Sequence, residues 1–315
     1  MLKECAMASS SRIPAIAATA ARGYVRYAPW PLGKAFTVRA FLNEWLRDHP
    51  RQRATRSGFG ARFHTDTQDL IQRYIYTFGV WEPPLTRWVM RTLQPGDTFV
   101  DVGANIGYYS LLASRSVGTS GRVIAIEASP AFHDLLRANV TLNHASNIRT
   151  VNEAVSDRAE LLHFILASSS NMGANSIVPY AGEAESQIDV PARPLPDILR
   201  SSELASARVI KVDVEGAEGA VVRGLVPALE RLRPDAELAI EVTPERLAKL
   251  GETAQELLDA LAAHGFHPYS LPHDYDAASY PRTIRESGPA PLRWEGPIEG
   301  ETEFVFSRTD AERLS

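Results

Sequence analysis

Phe99-Val-Asp101-Val-Gly103-Ala-Asn105-Ile-Gly107-Tyr-Tyr109 sets an acid and two glycines around an asparagine, between an apolar run and a helical pattern. The order reads as a buried strand, a tight turn and a helix N-terminus. In an open parallel sheet such a turn lies at the carboxyl edge, where ligands bind. Glycine lets a ligand approach the backbone closely. The spacing is Gly-x-x-x-Gly after an acid, not the G-x-G-x-x-G of a dinucleotide pyrophosphate site. A carboxylate at Asp101 repels phosphate. It suits a ligand with an ammonium group, such as the amino-acid end of S-adenosylmethionine.

Arg122-Val-Ile-Ala-Ile-Glu127-Ala-Ser129-Pro130 is a second apolar strand ending in an acid. An acid about twenty residues past a glycine turn accepts hydrogen bonds from ribose hydroxyls. Glu127 serves NAD and S-adenosylmethionine equally, and the glycine spacing favours the latter. The plain alternative for either strand is a buried run meeting a helix cap.

A third charged strand end is Val209-Ile-Lys211-Val-Asp213-Val-Glu215-Gly216-Ala-Glu218. Burying charges without partners is costly, so this cluster is either a site or a salt-bridged turn. Its acids also suit a helix N-terminus, where the macrodipole favours them.

Together these segments, with Asp69-Leu-Ile-Gln-Arg-Tyr-Ile-Tyr-Thr-Phe-Gly-Val-Trp-Glu82-Pro, resemble the FkbM-type S-adenosylmethionine-dependent methyltransferases. The resemblance runs from about residue 64 to residue 245, and Ile210 to Glu218 is its most specific part. It implies an α/β, Rossmann-like class I methyltransferase sheet of seven strands with strand 7 antiparallel. It also implies methyl transfer, most often to an oxygen of a small molecule or sugar, as in natural-product tailoring.

By that resemblance Asp101, Gly103, Asn105 and Gly107 hold the methionine end of S-adenosylmethionine, and helix amides after Gly107 receive its carboxylate. Glu127 takes the ribose. Glu153 and Ala154, after strand 3, meet the adenine. Glu82 closes over the cofactor or acts as an acid before the Pro83-Pro84 helix start. Asp213 is the first candidate for the base that deprotonates a hydroxyl acceptor, Glu215 the second and His273 the third. His163 and His267 read as structural or exposed. Asp213 and Glu241, ending adjacent strands, form a carboxylate pair of the kind that holds Mg²⁺, but the third ligand is not evident and a metal is not favoured. The competing readings are a nicotinamide-dependent oxidoreductase and a non-catalytic adenosine-binding protein.

The elements that position these residues alternate along 315 residues. Strands are expected at Thr98 to Val102, Val123 to Glu127, Ile148 to Asn152, Val209 to Asp213, Glu237 to Val242, Pro268 to Leu271 and Glu303 to Ser307. Helices lie between them, the pattern of a parallel sheet covered on both faces. An antiparallel pair is expected at Leu161 to Leu166 and Ile188 to Pro191. Upstream, helices are expected over Ala35 to Leu46, Asp69 to Phe78 and Pro84 to Leu93. Arg51 to Gly60 reads as a connection, Gly60 to His64 as a short strand, and residues 1 to about 22 as weakly ordered. Pro281 to Pro297 reads as a surface loop. The division expected is an N-terminal, mostly helical extension over 1–94 that packs on a methyltransferase domain over 95–315.

Composition narrows the partners. Net charge is −5, with no long basic block, so no nucleic-acid partner is expected. No apolar stretch approaches the roughly 20 residues of a membrane span, so no membrane partner is expected. The single cysteine, Cys5, excludes an intramolecular disulfide framework and fits a reducing cytoplasm. Glu4, Arg12 and Pro14 interrupt the apolar start and argue against a signal peptide. Only four lysines, against many arginines and alanines, suggest a high-GC bacterial source. The expected partner is a small-molecule hydroxyl acceptor, and a homo-oligomer stays open.

Overall fold

A computed structural model describes residues 2–167, 184–286, 288 and 290–314. The chain divides into two compact units, Met1–Pro83 with Asp274–Gly288, and Pro84–His273 with Pro289–Ser315. The division therefore falls at Pro83, not between residues 94 and 95, and a late segment joins the first unit.

The first unit opens on α1 (Leu2–Tyr27), a single helix where weak order was expected. Long-range contacts hold its second half: Arg51 Nη2 donates to the Ala15 carbonyl at 2.7 Å and Arg22 Nε to the Tyr76 carbonyl at 2.7 Å. Next come α2 (Lys34–Thr37), a π-helical turn over Val38–Leu42 and α3 (Asn43–Asp48). These cover the expected helix and bury Val38, Leu42 and Leu46. The expected connection at Arg51 to Gly60 instead contains β1 (Gln52–Arg56), which pairs antiparallel with β2 (Arg62–Asp66). The buried Thr55 and Thr65 hydroxyls meet across this hairpin at 2.8 Å. That cross-strand pairing is not a local signal, so the sequence alone missed it. α4 (Leu70–Phe78) starts where the Asp69 side chain accepts from the Gln72 amide. It stops at Gly79, whose φ of 82° only glycine adopts freely.

The second unit begins with α5 (Pro83–Thr92), whose first residue is the last of the preceding unit. Alternation then follows: β3 (Thr98–Val102), α6 (Tyr108–Val117), β4 (Arg122–Ile126), α7 (Pro130–Leu142) and β5 (Ile148–Val151). A small sheet of β6 (Ala154–Val155), β7 (Glu160–Ala167) and β8 (Ala184–Arg193) interrupts it. The expected antiparallel pair is β7 with β8, with His163 opposite Asp189. Two short helices, α8 (Leu195–Ile198) and α9 (Ser201–Ser206), lead to β9 (Ala207–Val212), α10 (Glu218–Leu225) and β10 (Glu237–Val242). The chain continues through α11 (Pro244–Lys249), α12 (Ala254–Ala262) and β11 (His267–Ser270). After α13 (Tyr280–Thr283), which belongs to the first unit, come β12 (Leu292–Arg293) and β13 (Thr302–Ser307).

The large sheet has the order β12-β11-β13-β10-β9-β3-β4-β5. β3, β4, β5, β9 and β10 pair in parallel, and β13 runs antiparallel to both β10 and β11. Without β12 this is the expected α/β class I methyltransferase sheet. The two-residue β12 is an eighth strand at the edge, inside the run expected to be loop. Two residues are too short to show a period-two pattern. The core explains the strand order. Val100, Ile124, Ile210 and Ile240 are fully buried beside Val221, Leu225 and Leu261, and burying each such side chain contributes about 1.5–3 kcal/mol. From β3 the chain builds outward to β4 and β5, then returns to place β9 on the other flank. The strand order thus reverses between β3 and β9, and their carboxyl ends frame a crevice.

Candidate cofactor and catalytic site

The turn after β3 holds several residues in backbone conformations that ordinary side chains avoid. Gly103 has φ 82°, Asn105 φ 50° and Gly107 φ 86°. A Cβ on Gly107 would lie 2.5 Å from Leu136 Cδ1. Asn105 tolerates the left-handed region and stabilises it locally, its Oδ1 accepting the Ile106 amide at 2.8 Å. The Gly103 and Ala104 amides both donate to the Ile126 carbonyl, at 3.0 and 2.9 Å, tying the turn to β4.

Asp101 is buried in β3, in register with Lys211 of β9. Ser110 Oγ donates to its Oδ2 at 2.5 Å, while Oδ1 is buried without a hydrogen-bond partner. Burial pushes this carboxyl up, against the pull of Lys211 and the Ser110 hydrogen bond. Lys211 is itself buried. Its Nζ lies 2.7 Å from Asp213 Oδ2 and 4.9 Å from the centre of the Tyr109 ring. Asp213 follows β9 and keeps 27% of its side chain exposed. The sequence placed Lys211 and Asp213 in one charged cluster and Asp101 in another. It gave no sign of Ser110 or Tyr109, which α6 brings back over the strand ends.

Glu127, just past β4, is buried and braces the turn. Its Oε2 accepts the Asn105 amide at 2.7 Å and its Oε1 the Ser129 amide at 2.8 Å. Burial raises its pKa to about 7, partly offset by those two amides. Glu153 lies beyond β5, and both its oxygens accept from Arg193, at 2.8 and 2.9 Å. Ala154 is buried in β6.

After β9 the chain turns sharply, with Glu215 at φ 59°. Glu218, the first residue of α10, is buried. Its Oε1 accepts the Val214 and Gly216 amides at 3.1 and 3.0 Å. Glu218 is thus the helix-start acid that the macrodipole reading expected, and its pKa rises to about 7 by burial. Glu215 forms an ion pair with Arg246 of α11, whose guanidinium also lies 3.5 Å from Glu241 and 3.8 Å from Glu301. Burial and the charge of Asp213 push Glu215 up to about 8, against the pull of Arg246. Sequence reasoning missed Arg246, although it stands only four residues past the end of β10.

Not every candidate joins this group. His163 is exposed on β7 and pairs with Asp189 at 2.5 Å. His267, on the far strand β11, accepts at Nδ1 from Arg293 Nη2 at 2.7 Å. His273 is half-buried at the end of the second unit. Glu82 belongs to the first unit, where it is buried at φ 38° and its Oε1 accepts the Tyr275 hydroxyl at 2.8 Å.

The turn fits a bound nucleoside with an amino-acid tail. The glycine conformations keep its backbone bare, Asp101 Oδ1 is buried without a donor, and a second carboxylate ends the next strand. Among the described residues no group of three or more His, Cys, Asp or Glu is placed to hold a metal ion. The cation beside Glu241 is the Arg246 guanidinium.

A Rossmann-like sheet with this turn defines a nucleotide-type cofactor binder. The Methyltransferase FkbM domain family matches residues 101–268, more than half of the chain, and the chain belongs to that family. It is an S-adenosylmethionine-dependent methyltransferase, which replaces the nicotinamide alternative. The hexuronic acid methyltransferase AglP of Haloferax volcanii is 28% identical over 205 residues, which cover 62% of this chain and 77% of that protein. Methyltransferase sdnD of Sordaria araneosa is 30% identical over 164 residues, 42% of this chain and 61% of that protein. A crystal structure of methyltransferase FkbM from Methylobacillus flagellatus aligns over 75% of this chain and 52% of that one, at 18% identity and a TM-score of 0.37.

Proposed function

We propose that this enzyme methylates a hydroxyl oxygen of a small molecule or sugar, with Asp213 as the base. The observation that carries the reading is Asp213 at the crevice between β9 and β3, partly exposed, with Oδ2 held by the buried Lys211. The named activity of the hexuronic acid methyltransferase supports a sugar-like acceptor. S-adenosylmethionine supplies a methyl group on a positively charged sulfur. Asp213 takes the acceptor's proton as its oxygen forms the new bond to carbon, and the sulfur keeps the electron pair of the bond that breaks. Holding acceptor and cofactor in line supplies much of the acceleration. A positioned base adds roughly 10²–10⁴-fold. Lys211 fixes the Asp213 rotamer, and Glu215, two residues further along the same turn and paired with Arg246, is the second candidate.

The cofactor roles follow the turn. Asp101, Gly103, Asn105 and Gly107 take the methionine end, and Glu127 the ribose. Glu153 and Ala154 border the adenine, with Glu153 already engaged by Arg193. The reading extends to a cytoplasmic tailoring enzyme of bacterial origin, supported by the single cysteine and the arginine-rich composition.

The test is incubation with methyl-labelled S-adenosylmethionine and a panel of uronic acids, neutral sugars and polyphenols, followed by mass spectrometry. A methyl ether on one class is expected. Label on nitrogen or carbon, or no transfer to any hydroxyl despite cofactor binding, overturns the O-methylation reading.

A further inference from the structure

We propose that the first unit docks on an anionic lipid surface through an apolar tip built around Trp30. Tyr27, Trp30, Leu32 and Phe36 are 70%, 65%, 77% and 75% exposed. Residues 29–33 form an unbroken exposed run between α1 and α2. Large apolar side chains scattered singly on a surface are ordinary, but four within ten residues mark an interaction site.

The tip is held outward. Pro29 and Pro31 flank Trp30 and fix the backbone on either side. Lys34 Nζ crosses the reversal and donates to the Val25 and Ala28 carbonyls at 2.8 and 2.7 Å. The Tyr24 hydroxyl donates to the Leu32 carbonyl, and Arg285 donates to the Pro29 carbonyl. These bonds keep the chain from folding the four side chains back against its own unit. Ile284, next to Arg285, adds a partly exposed apolar side chain.

Charge selects the occupant. Residues 1–83 and 274–288 hold 14 Lys and Arg against 9 Asp and Glu, while the rest of the chain holds 19 against 29. The overall charge of −5 therefore conceals a basic unit joined to a strongly acidic one. Around the tip Arg39 and Arg282 expose 73% and 75% of their side chains, and each is paired with an acid. Arg285 is exposed at the tip and donates only to the Ala28 and Pro29 carbonyls among the bonds found there, so it offers a positive charge, while Lys34 is buried and serves to hold the reversal. Trp and Tyr settle at the headgroup level of a bilayer, Leu and Phe just beneath, and basic residues are drawn to anionic headgroups. A second copy of the chain would bring the same positive charge to the contact. No helix among the described residues is long and apolar enough to cross a membrane, so the contact is peripheral. The expectation of no membrane partner rested on the lack of an apolar stretch of spanning length, which a peripheral contact does not need.

The test is sedimentation of the full chain with phosphatidylcholine vesicles, with and without phosphatidylglycerol. Binding to the phosphatidylglycerol vesicles is expected, with a blue shift of tryptophan fluorescence. In a Trp30→Ser/Leu32→Ser/Phe36→Ser variant the affinity should fall at least roughly tenfold. Circular dichroism and cofactor calorimetry should match the parent. If that variant does not fold, Trp30→Ser alone is to weaken binding and remove the blue shift. Failure of the parent to bind either vesicle overturns the proposal, as does equal binding by the variants. So does concentration-dependent dimerisation that the substitutions abolish while vesicles are ignored. Cofactor binding is read separately, so a failure here leaves the methyltransferase reading intact.

Discussion

The backbone of Gly103 lies so close to that of Asp213 that a Cβ on Gly103 would fall 1.8 Å from the Asp213 carbonyl oxygen. The Asp213 amide donates to the Val102 carbonyl at 3.0 Å, so the two strand ends are locked together. Gly103→Ala adds both a clash and a residue strained at φ 82°. A loss of at least ~2 kcal/mol in stability is expected, with S-adenosylmethionine affinity falling in whatever protein folds. Denaturant unfolding and calorimetry check this. A variant of parental stability would show that the turn can shift away from β9.

Glu127 braces the turn and, in our proposal, also takes the ribose. Glu127→Ala removes both roles, so Glu127→Gln is the cleaner test because it keeps one acceptor oxygen. Cofactor affinity should fall by about 1.5–3 kcal/mol, or roughly 10- to 150-fold. Accepting two hydroxyls requires the ionised carboxylate. With a pKa of about 7 in the free protein, affinity should rise as pH approaches that value from below, by about tenfold per unit at most. Calorimetry across this range that finds a flat profile would place the ribose elsewhere.

Asp213→Asn retains size and removes the base. Turnover should fall by roughly 10²–10⁴ while cofactor affinity stays within a few-fold. Full turnover in the folded variant would move the search to Glu215 and then His273.

Two buried carboxyls, Glu127 and Glu218, and the partly exposed Glu215 make the free protein sensitive to rising pH. Glu127 and Glu218 titrate near 7 and Glu215 near 8, all above their ordinary 4.5. Between those limits the folded chain retains protons that the unfolded chain releases. Their contribution to stability is complete below about 4.5 and is lost as pH rises through 7 to 8. The cofactor-free melting temperature should therefore decline from about pH 5 to 8 by this contribution, and Glu218→Gln should flatten the decline. A melting curve equally steep in that variant would remove Glu218 from the account.

What the sequence determined by itself is the alternation and its chemistry. Thr98–Val102 and Glu237–Val242 are strands over the residues expected, and most other sheet elements lie within one or two. The three acids that end β3, β4 and β9 were legible because a short apolar run closed by a charge is a local pattern. The tertiary structure decided what those acids touch. Ser110 reaches Asp101 because α6 folds back over β3, and Arg246 reaches Glu215 because α11 follows a neighbouring strand. Arg193 claims Glu153 across 40 residues. The second half of the helix over residues 2–27 depends likewise on distant partners, Arg51 and Tyr76. Trp30 and its neighbours carry no periodic signal, and only the folded surface distinguishes an apolar residue left in water from one in the core. Spacing along a chain records which face a residue shares with its near neighbours. Contact between segments far apart is set by packing, which no local pattern encodes.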